Sequence, residues 1–234
     1  MTRTTLPFEI GPGSQPADDD GAELAYMEMP AGMMTYAMPA LPEPEEVAGV
    51  EPALAMLAQI HQLLRDYAED GAANIVDIRG LDATNLAFLN QALGEGEVAV
   101  IGGASVQAQE SVLAGVWRVR TTSTAGAVVS DIVEVGSFPT SVSDRVFAHA
   151  QSHVALPAQL GPGVFNAPSL LPEINAEIER RAVASEPHVI NLSLLPHTAQ
   201  DLALLDRQLG KGWLTVLSRG YGNCRVESTG TRNV

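Results

Sequence analysis

The chain has 234 residues, of which 46% are apolar, so it can bury a sizeable core as one large domain or two small ones. Its formal net charge of −15 repels phosphate backbones and anionic lipids, which argues against a nucleic-acid-binding or peripheral membrane protein and favours a basic partner. A single cysteine excludes an intramolecular disulfide, and one thiol cannot by itself hold an iron–sulfur cluster or a structural zinc.

Residues 1–50 are predicted to form an acidic arm rather than a domain. They contain an acidic run at Asp18–Asp20 and many prolines, and they show neither helical nor strand periodicity. Methionine adapts to varied apolar surfaces, so four methionines of the arm are candidate partner contacts: Met27, Met29, Met33 and Met34. The alternative is that the arm covers the first folded unit and fills its gaps.

The sequence predicts a cytoplasmic protein. The N-terminus has no apolar run of signal-peptide length. No uncharged apolar stretch reaches the roughly 18 residues that a membrane span needs.

Residues 51–137 are predicted to form the first unit. Pro52 suits a helical first turn, and an apolar stripe follows at Met56, Leu57, Ile60, Leu63, Leu64 and Tyr67. A strand at Ile75–Ile78 precedes a helix that Asp82 or Thr84 can cap and Gly94 can end. A strand at Val98–Ile101 and a hairpin of Gly115–Thr122 with Ala127–Val135 complete the unit.

Residues 138–168 are predicted to be a linker that allows a helix at Ser143–Gln151, and residues 169–234 are predicted to form a second unit. In the second unit Pro172 is expected in the first turn of a helix, as Pro52 is in the first. A strand at His188–Leu194, a helix at Thr198–Leu209 and a strand at Trp213–Ser218 follow.

The two units resemble each other. The segment NLAFLNQALGEGEVAVI (85–101) and the segment DLALLDRQLGKGWLTVL (201–217) are identical at seven of seventeen positions. We therefore predict an α+β chain of two tandem homologous αβαβββ units, with mixed or antiparallel sheets and helices on one face. The second unit lacks the counterpart of the closing hairpin, so its sheet is expected to end in an open edge that invites a homodimer.

The sequence offers no catalytic constellation and no metal site. Gly94-Glu95-Gly96 and Gly210-Lys211-Gly212 follow a helix and precede a strand, which is the reverse of a nucleotide-binding loop. They are interpreted as helix stops. His149 and His153 are spaced for one helical face, but two ligands are weak evidence for a metal. No serine or cysteine has a histidine partner that the sequence suggests.

Two further groups of residues are candidate partner contacts. Arg118 and Arg120 alternate around Val119 and project on one sheet face, where either solvent or a partner carboxylate can meet them. The segment RGYGNCRVES supplies Arg219, Tyr221, Cys224 and Arg225. The neighbouring cations would make the thiol more reactive, and the alternative is a small residue that opens a strand.

Several segments taken together resemble one family. GPGSQPADDD, LGEGEVAV, GVWRVR, SLLPEI, INLSLLP and GYGNCRVESTGTRNV are similar, in this order, to segments of the HupH/HyaF hydrogenase expression proteins. The resemblance covers nearly the whole chain. Members of this family normally continue past the point where this chain ends.

The resemblance implies a non-enzymatic maturation chaperone for uptake [NiFe] hydrogenase. Such a protein would bind the small-subunit precursor and its signal peptide before twin-arginine export, alongside a thioredoxin-like companion. No cofactor is expected. A cysteine-dependent redox or iron–sulfur delivery role is the alternative that the resemblance leaves open.

Overall fold

The computed structural model describes residues 48–67, 74–181, 186–220 and 222–234, all of which lie within the unit Pro39–Val234. The helices are α1 (Glu51–Arg65), α2 (Ala83–Leu93), α3 (Thr140–Ser143), α4 (Ala167–Arg180) and α5 (Ala199–Leu209). The strands are β1 (Asn74–Asp77), β2 (Val98–Gly102), β3 (Val106–Glu110), β4 (Val116–Thr122), β5 (Val128–Val135), β6 (Lys211–Ser218) and β7 (Cys224–Thr229). The predicted α+β class is confirmed.

The seven strands form one open antiparallel sheet in the order β1-β5-β4-β3-β2-β6-β7. β2 and β6 join the two halves of the chain, and Val100 lies opposite Val216 at the middle of this pairing. These two valines hold the same place in the two similar sequence segments. The strands of both halves therefore share one sheet, with β1 and β7 at its edges.

Helices cover both faces of the sheet. Val116 on β4 lies in one buried cluster with residues of α1 and α2. Trp117, the next residue, lies in a second cluster with Val142 of α3. Because successive residues of a strand point to opposite faces, α3 lies on the face away from α1 and α2. The prediction that all helices lie on one face is therefore wrong for α3, which is held there by the buried carboxylate of Glu134.

The helix ends follow the sequence signals. Asp82 caps α2 by accepting a hydrogen bond from the N–H of Asn85 at 2.9 Å, so Asp82 and not Thr84 is the cap. α5 begins with a capping box between Thr198 and Asp201. Gly94 and Gly210 follow the last residues of these helices with φ of 58° and 68°, which favours glycine. The interpretation of both glycine pairs as helix stops is confirmed.

The second glycine of each pair, Gly96 or Gly212, packs directly against the backbone of another segment of the chain. A Cβ on Gly96 would stand 2.3 Å from the carbonyl oxygen of Ser111, and one on Gly212 would stand 2.4 Å from that of Ser228. Backbone cannot move aside as a flexible side chain can, so a larger residue must shift the strand. The GxG pattern therefore serves both the helix end and the approach of the following strand.

Gly96→Ala should lower the free energy of unfolding by about 2 kcal/mol, because the added methyl would displace backbone in a packed region. Gly80→Ala is the matched control, since nothing lies within 4 Å of the position of its Cβ. Urea unfolding of both variants checks this. Equal stability of the two variants would show that the backbone around Gly96 moves at little cost to accommodate the methyl group.

The predicted strand at His188–Leu194 is wrong. The structure has a 3-10 turn at Leu192–Leu194 there. In the first half, the corresponding strand β1 has β5 as its strand partner. Within the described ranges no strand takes the place of β5 beside residues 188–194, so this segment lacks the backbone partner that would make it a strand.

Three smaller predictions also need correction. The helix predicted at Ser143–Gln151 does not form: α3 ends at Ser143, turns follow it, and the backbone of Gln151 bonds to Gly230 and Arg232 instead of continuing a helix. α4 begins at Ala167, so Pro172 lies inside the helix rather than in its first turn. β3 was missed as a separate strand because VQAQE, although it alternates, has only two apolar residues, one of them an alanine.

Candidate partner-binding surfaces

Arg118 is held inside the protein by three hydrogen bonds. Its Nε and Nη2 donate to the carboxylate of Asp131 at 2.9 Å and 2.6 Å, and its Nη1 donates to Asn90 on α2. Asp131 is itself buried. The Nε of Arg120 lies 3.6 Å from the same carboxylate, and its side chain is 41% exposed. Of the two predicted contacts on β4, Arg120 therefore offers more free surface to a partner.

The segment around Cys224 lies at the turn between β6 and β7. The N–H of Arg219 donates to the carbonyl of Glu97, and Cys224 lies opposite Ser218 in the pairing of the two strands. Cys224 is exposed. The Nη2 of Arg225 donates to Glu227 at 2.5 Å, so this guanidinium is turned along its own strand.

The predicted contacts do not form a single site. β4 and β7 are separated by β3, β2 and β6, which places β4 about 19 Å from β7 across the sheet. Four predicted methionines and one tyrosine lie outside the described residues: Met27, Met29, Met33, Met34 and Tyr221. All of these contacts stay predictions.

Each pair of neighbouring helices is joined by the same polar contact. In the first half, Oδ1 of Asn85 on α2 accepts a hydrogen bond from the N–H of Ala53, near the start of α1, at 3.0 Å. In the second half, Oδ1 of Asp201 on α5 accepts one from the N–H of Ala167, the first residue of α4, also at 3.0 Å. Asn85 and Asp201 are both buried, so each contact fixes how two helices meet.

The second helix pair lines an apolar groove that sequence reasoning missed. The groove has a volume of about 770 Å³ and lies between α4, α5, the segment at Ile190 and the edge strand β7. Its apolar lining includes Leu170, Ile174, Ile178, Leu205, Leu209 and Val226. The signal that could have indicated it is the amphipathic stripe of α4.

The described residues contain neither a candidate metal site nor a helix that could span a membrane. Across the described ranges, no three His, Cys, Asp or Glu side chains are grouped so that they could hold a metal ion. None of the helices in this part of the chain is long and apolar enough to span a bilayer.

Comparison with known proteins gives a consistent family. The family model "HupH hydrogenase expression protein, C-terminal conserved region" matches residues 50–159 and again residues 164–234. The hydrogenase expression/formation protein HupH of Rhodobacter capsulatus is 46% identical over 97% of this chain and 80% of its own length. The hydrogenase expression/formation protein HupQ of Azotobacter chroococcum is 41% identical over 100% of this chain and 82% of its own length.

A more distant relative is the hydrogenase-1 operon protein HyaF of Escherichia coli. It is 30% identical over 96% of this chain and 79% of its own length. The two matches of the family model together span well over half of the chain. The chain therefore belongs to the HupH hydrogenase expression protein family.

Proposed function

We propose that this chain is an accessory factor in the maturation of uptake [NiFe] hydrogenase, and that it binds the small-subunit precursor before twin-arginine export. The observation that carries the proposal is family membership over nearly the whole chain, with relatives named hydrogenase expression/formation proteins. A binding role rather than a catalytic one fits that designation. The proposed place of action is the cytoplasm, together with a thioredoxin-like companion.

The charge of the chain supports a basic client. A twin-arginine signal peptide combines a basic region with an apolar region. The net charge of −15 would attract the basic region and raise the rate of encounter. The apolar groove and the methionines of the arm are surfaces that could hold apolar side chains.

A duplicated architecture is part of the proposal. Three observations support it: the family model matches two consecutive stretches, Asn85 and Asp201 make the same contact to the preceding helix, and β2 pairs with β6 so that Val100 faces Val216. In an antiparallel pair of corresponding strands, the two units are related by a local two-fold axis. Two copies of one unit provide a wide binding surface without a catalytic centre.

Removing residues 2–47 should weaken capture of the small-subunit precursor several-fold, because the deletion removes the acidic, methionine-bearing arm. Val50 is buried in the core and is retained, so the fold should survive. The measurement is the amount of precursor that co-purifies with the tagged chain from hydrogenase-expressing cells. Unchanged recovery would place the binding surface elsewhere.

The alternative redox role depends on Cys224. It predicts that Cys224→Ser abolishes hydrogenase maturation and that the purified chain carries iron. The binding proposal predicts nearly normal maturation in this variant, because serine keeps the size of this exposed partner contact and removes only the redox chemistry of the thiol. Hydrogenase activity of cells carrying Cys224→Ser separates the two functions.

A further inference from the structure

The sheet face that lies away from α1 and α2 is covered by residues 138–151, which we name the strap. Beneath the strap lies a buried cluster whose strand residues come from β2, β3 and β4: Val100, Val106, Ala108, Trp117 and Val119. Among the described residues of this cluster, Phe138 and Val142 are the ones that do not lie on a strand. The strap therefore supplies the cover of this apolar face.

The strap is attached to the rest of the protein at its two ends. At the first end, the hydroxyls of Thr140 and Ser141 donate hydrogen bonds to the carboxylate of Glu134. At the second end, the backbone of Gln151 bonds to residues 230–232. Between the two ends, each hydrogen-bonded N–H of residues 142–150 donates to a carbonyl of the strap itself. The middle of the strap can therefore leave the sheet without breaking a backbone hydrogen bond to it.

The contacts between the strap and the sheet follow one helical face. The ring of Phe138 lies 5.5 Å from that of Trp117, and Val142 is fully buried. The guanidinium carbon of Arg145 lies 5.0 Å from the centroid of the Trp213 ring, in a cation–π contact. These strap positions are separated by four and three residues, the spacing at which an amphipathic helix presents its anchors to a groove. The strap thus meets the sheet as a bound ligand would.

An apolar sheet face of this extent favours aggregation when it is permanently open. Large exposed apolar patches on soluble proteins promote association unless a partner covers them. A cover that detaches locally keeps the face hidden until a competing segment takes its place.

We propose that the strap is an exchangeable cover and that a segment of the client takes its place on the sheet face. The segment repeats the chemistry of the strap: two apolar side chains one helical turn apart, and an arginine one turn further that stacks on Trp213. This inference rests on the proposed client-binding function, whose client combines a basic and an apolar region. Because the strap competes for the same face, the affinity for the client falls in proportion to the open fraction.

Local detachment of the strap is tested by native-state hydrogen exchange of the full chain at low concentrations of urea. The amides of residues 142–150 should exchange at least about tenfold faster than those of β4. Their exchange should also depend less on urea, because local opening exposes less surface than global unfolding. Strap amides that exchange only at the rate of global unfolding would overturn the proposal.

A labelled synthetic peptide of residues 137–151 probes the sheet face directly. Arg145→Ala removes the contact with Trp213 and should lower the Kd of this peptide about fivefold, because the strap of the chain then competes less well. Arg65→Ala is the matched control, since it removes the same charge from the last turn of α1 and should leave the Kd unchanged. Val142→Ala, with folding checked by circular dichroism, should lower the Kd at least about tenfold, because the strap loses its buried anchor.

Three results with the peptide would overturn the proposal. The first is no saturable binding to Val142→Ala. The second is the same Kd for the wild type, Arg145→Ala and Val142→Ala. The third is equal binding of a scrambled peptide of the same composition, which would show that the face does not recognise the spacing of the anchors.

Precursor capture is the separate measurement that distinguishes this site from the proposed function. Arg145→Ala and Val142→Ala should each capture several-fold more small-subunit precursor than the wild type and Arg65→Ala. Equal capture by all of these chains would refute this site and leave the proposed function intact. Strap detachment and peptide binding without any precursor capture would refute the proposed function and leave the exchangeable cover in place.

Discussion

Asp201→Ala should lower the melting temperature of the chain by roughly 10 °C. The carboxylate of Asp201 is buried and accepts N–H hydrogen bonds from Phe165, Asn166 and Ala167 at 2.9 to 3.0 Å through Oδ1, and from Thr198 at 3.1 Å through Oδ2. These donors lie at the starts of α4 and α5. Removing their acceptor leaves backbone N–H groups unsatisfied inside the protein.

Asp201→Asn should lose only part of this stability. Asn85 occupies the corresponding place and shows that an amide oxygen can accept a helix N–H there. Asp206→Asn is the control for loss of a negative charge, because Asp206 lies exposed on the same helix. Differential scanning calorimetry of the three variants should give the order Asp206→Asn, Asp201→Asn, Asp201→Ala from most to least stable. Equal melting temperatures would contradict the role assigned to Asp201.

The stability that Asp201 contributes should depend on pH. Burial alone would raise the pKa of Asp201, but backbone N–H groups, that of Ala167 foremost, together hold the pKa well below its usual range. A lowered folded-state pKa contributes stability above the unfolded value of about 3.9, and this stability is lost as the pH falls through the folded value.

The gap in melting temperature between wild type and Asp201→Asn should therefore narrow as the pH is lowered from 6 to about 3. Asp77, whose pKa is lowered to about 2 by hydrogen bonds from the Arg79 side chain and backbone, remains in both proteins and does not affect the difference. A gap that stays constant over this range would show that the carboxylate charge is not what stabilises the helix starts.

Glu134→Ala should lower the free energy of unfolding by about 3 kcal/mol. The side chain is 1% exposed, and its carboxylate accepts hydrogen bonds from the N–H and hydroxyl of Thr140 at 2.5 Å and from the hydroxyl of Ser141 at 2.6 Å. Hydrogen bonds to a buried charge are stronger than neutral ones. Without this acceptor, α3 loses its attachment to β5.

Urea unfolding followed by tryptophan fluorescence suits this test, because Trp117 lies 5.5 Å from the Phe138 ring, close to α3. Glu134→Gln keeps the volume but places an NH2 group among donors, so it should fall between wild type and Glu134→Ala. Glu95→Ala is the exposed control and should unfold like the wild type. If Glu134→Ala were as stable as Glu95→Ala, the buried carboxylate would have no structural role.

Local signals in the sequence predicted most of the first half. The apolar stripe of α1, the Asp82 cap and the Gly94 stop define helices through contacts a few residues apart, and the turn at Ser123–Gly126 defines the hairpin. Such signals do not depend on the rest of the fold. The sequence alone was therefore sufficient to predict these elements.

Features that depend on contacts between residues far apart in the sequence could not be predicted from the sequence. Residues 188–194 carry the sequence of a strand, but a strand needs a neighbour, and the described chain supplies none at that place. Likewise, the spacing of Arg118 indicates a sheet face, but only the structure shows that Asp131 and Asn90 occupy its guanidinium. The groove was missed for the same reason, because its walls come from α4, α5 and β7.

The most direct test of the proposed function is quantitative capture of the hydrogenase small subunit by the tagged full-length chain in hydrogenase-expressing cells. The account predicts that the precursor with its signal peptide is enriched over both the mature small subunit and the large subunit. Recovery of a folded chain that carries no small-subunit precursor would contradict it.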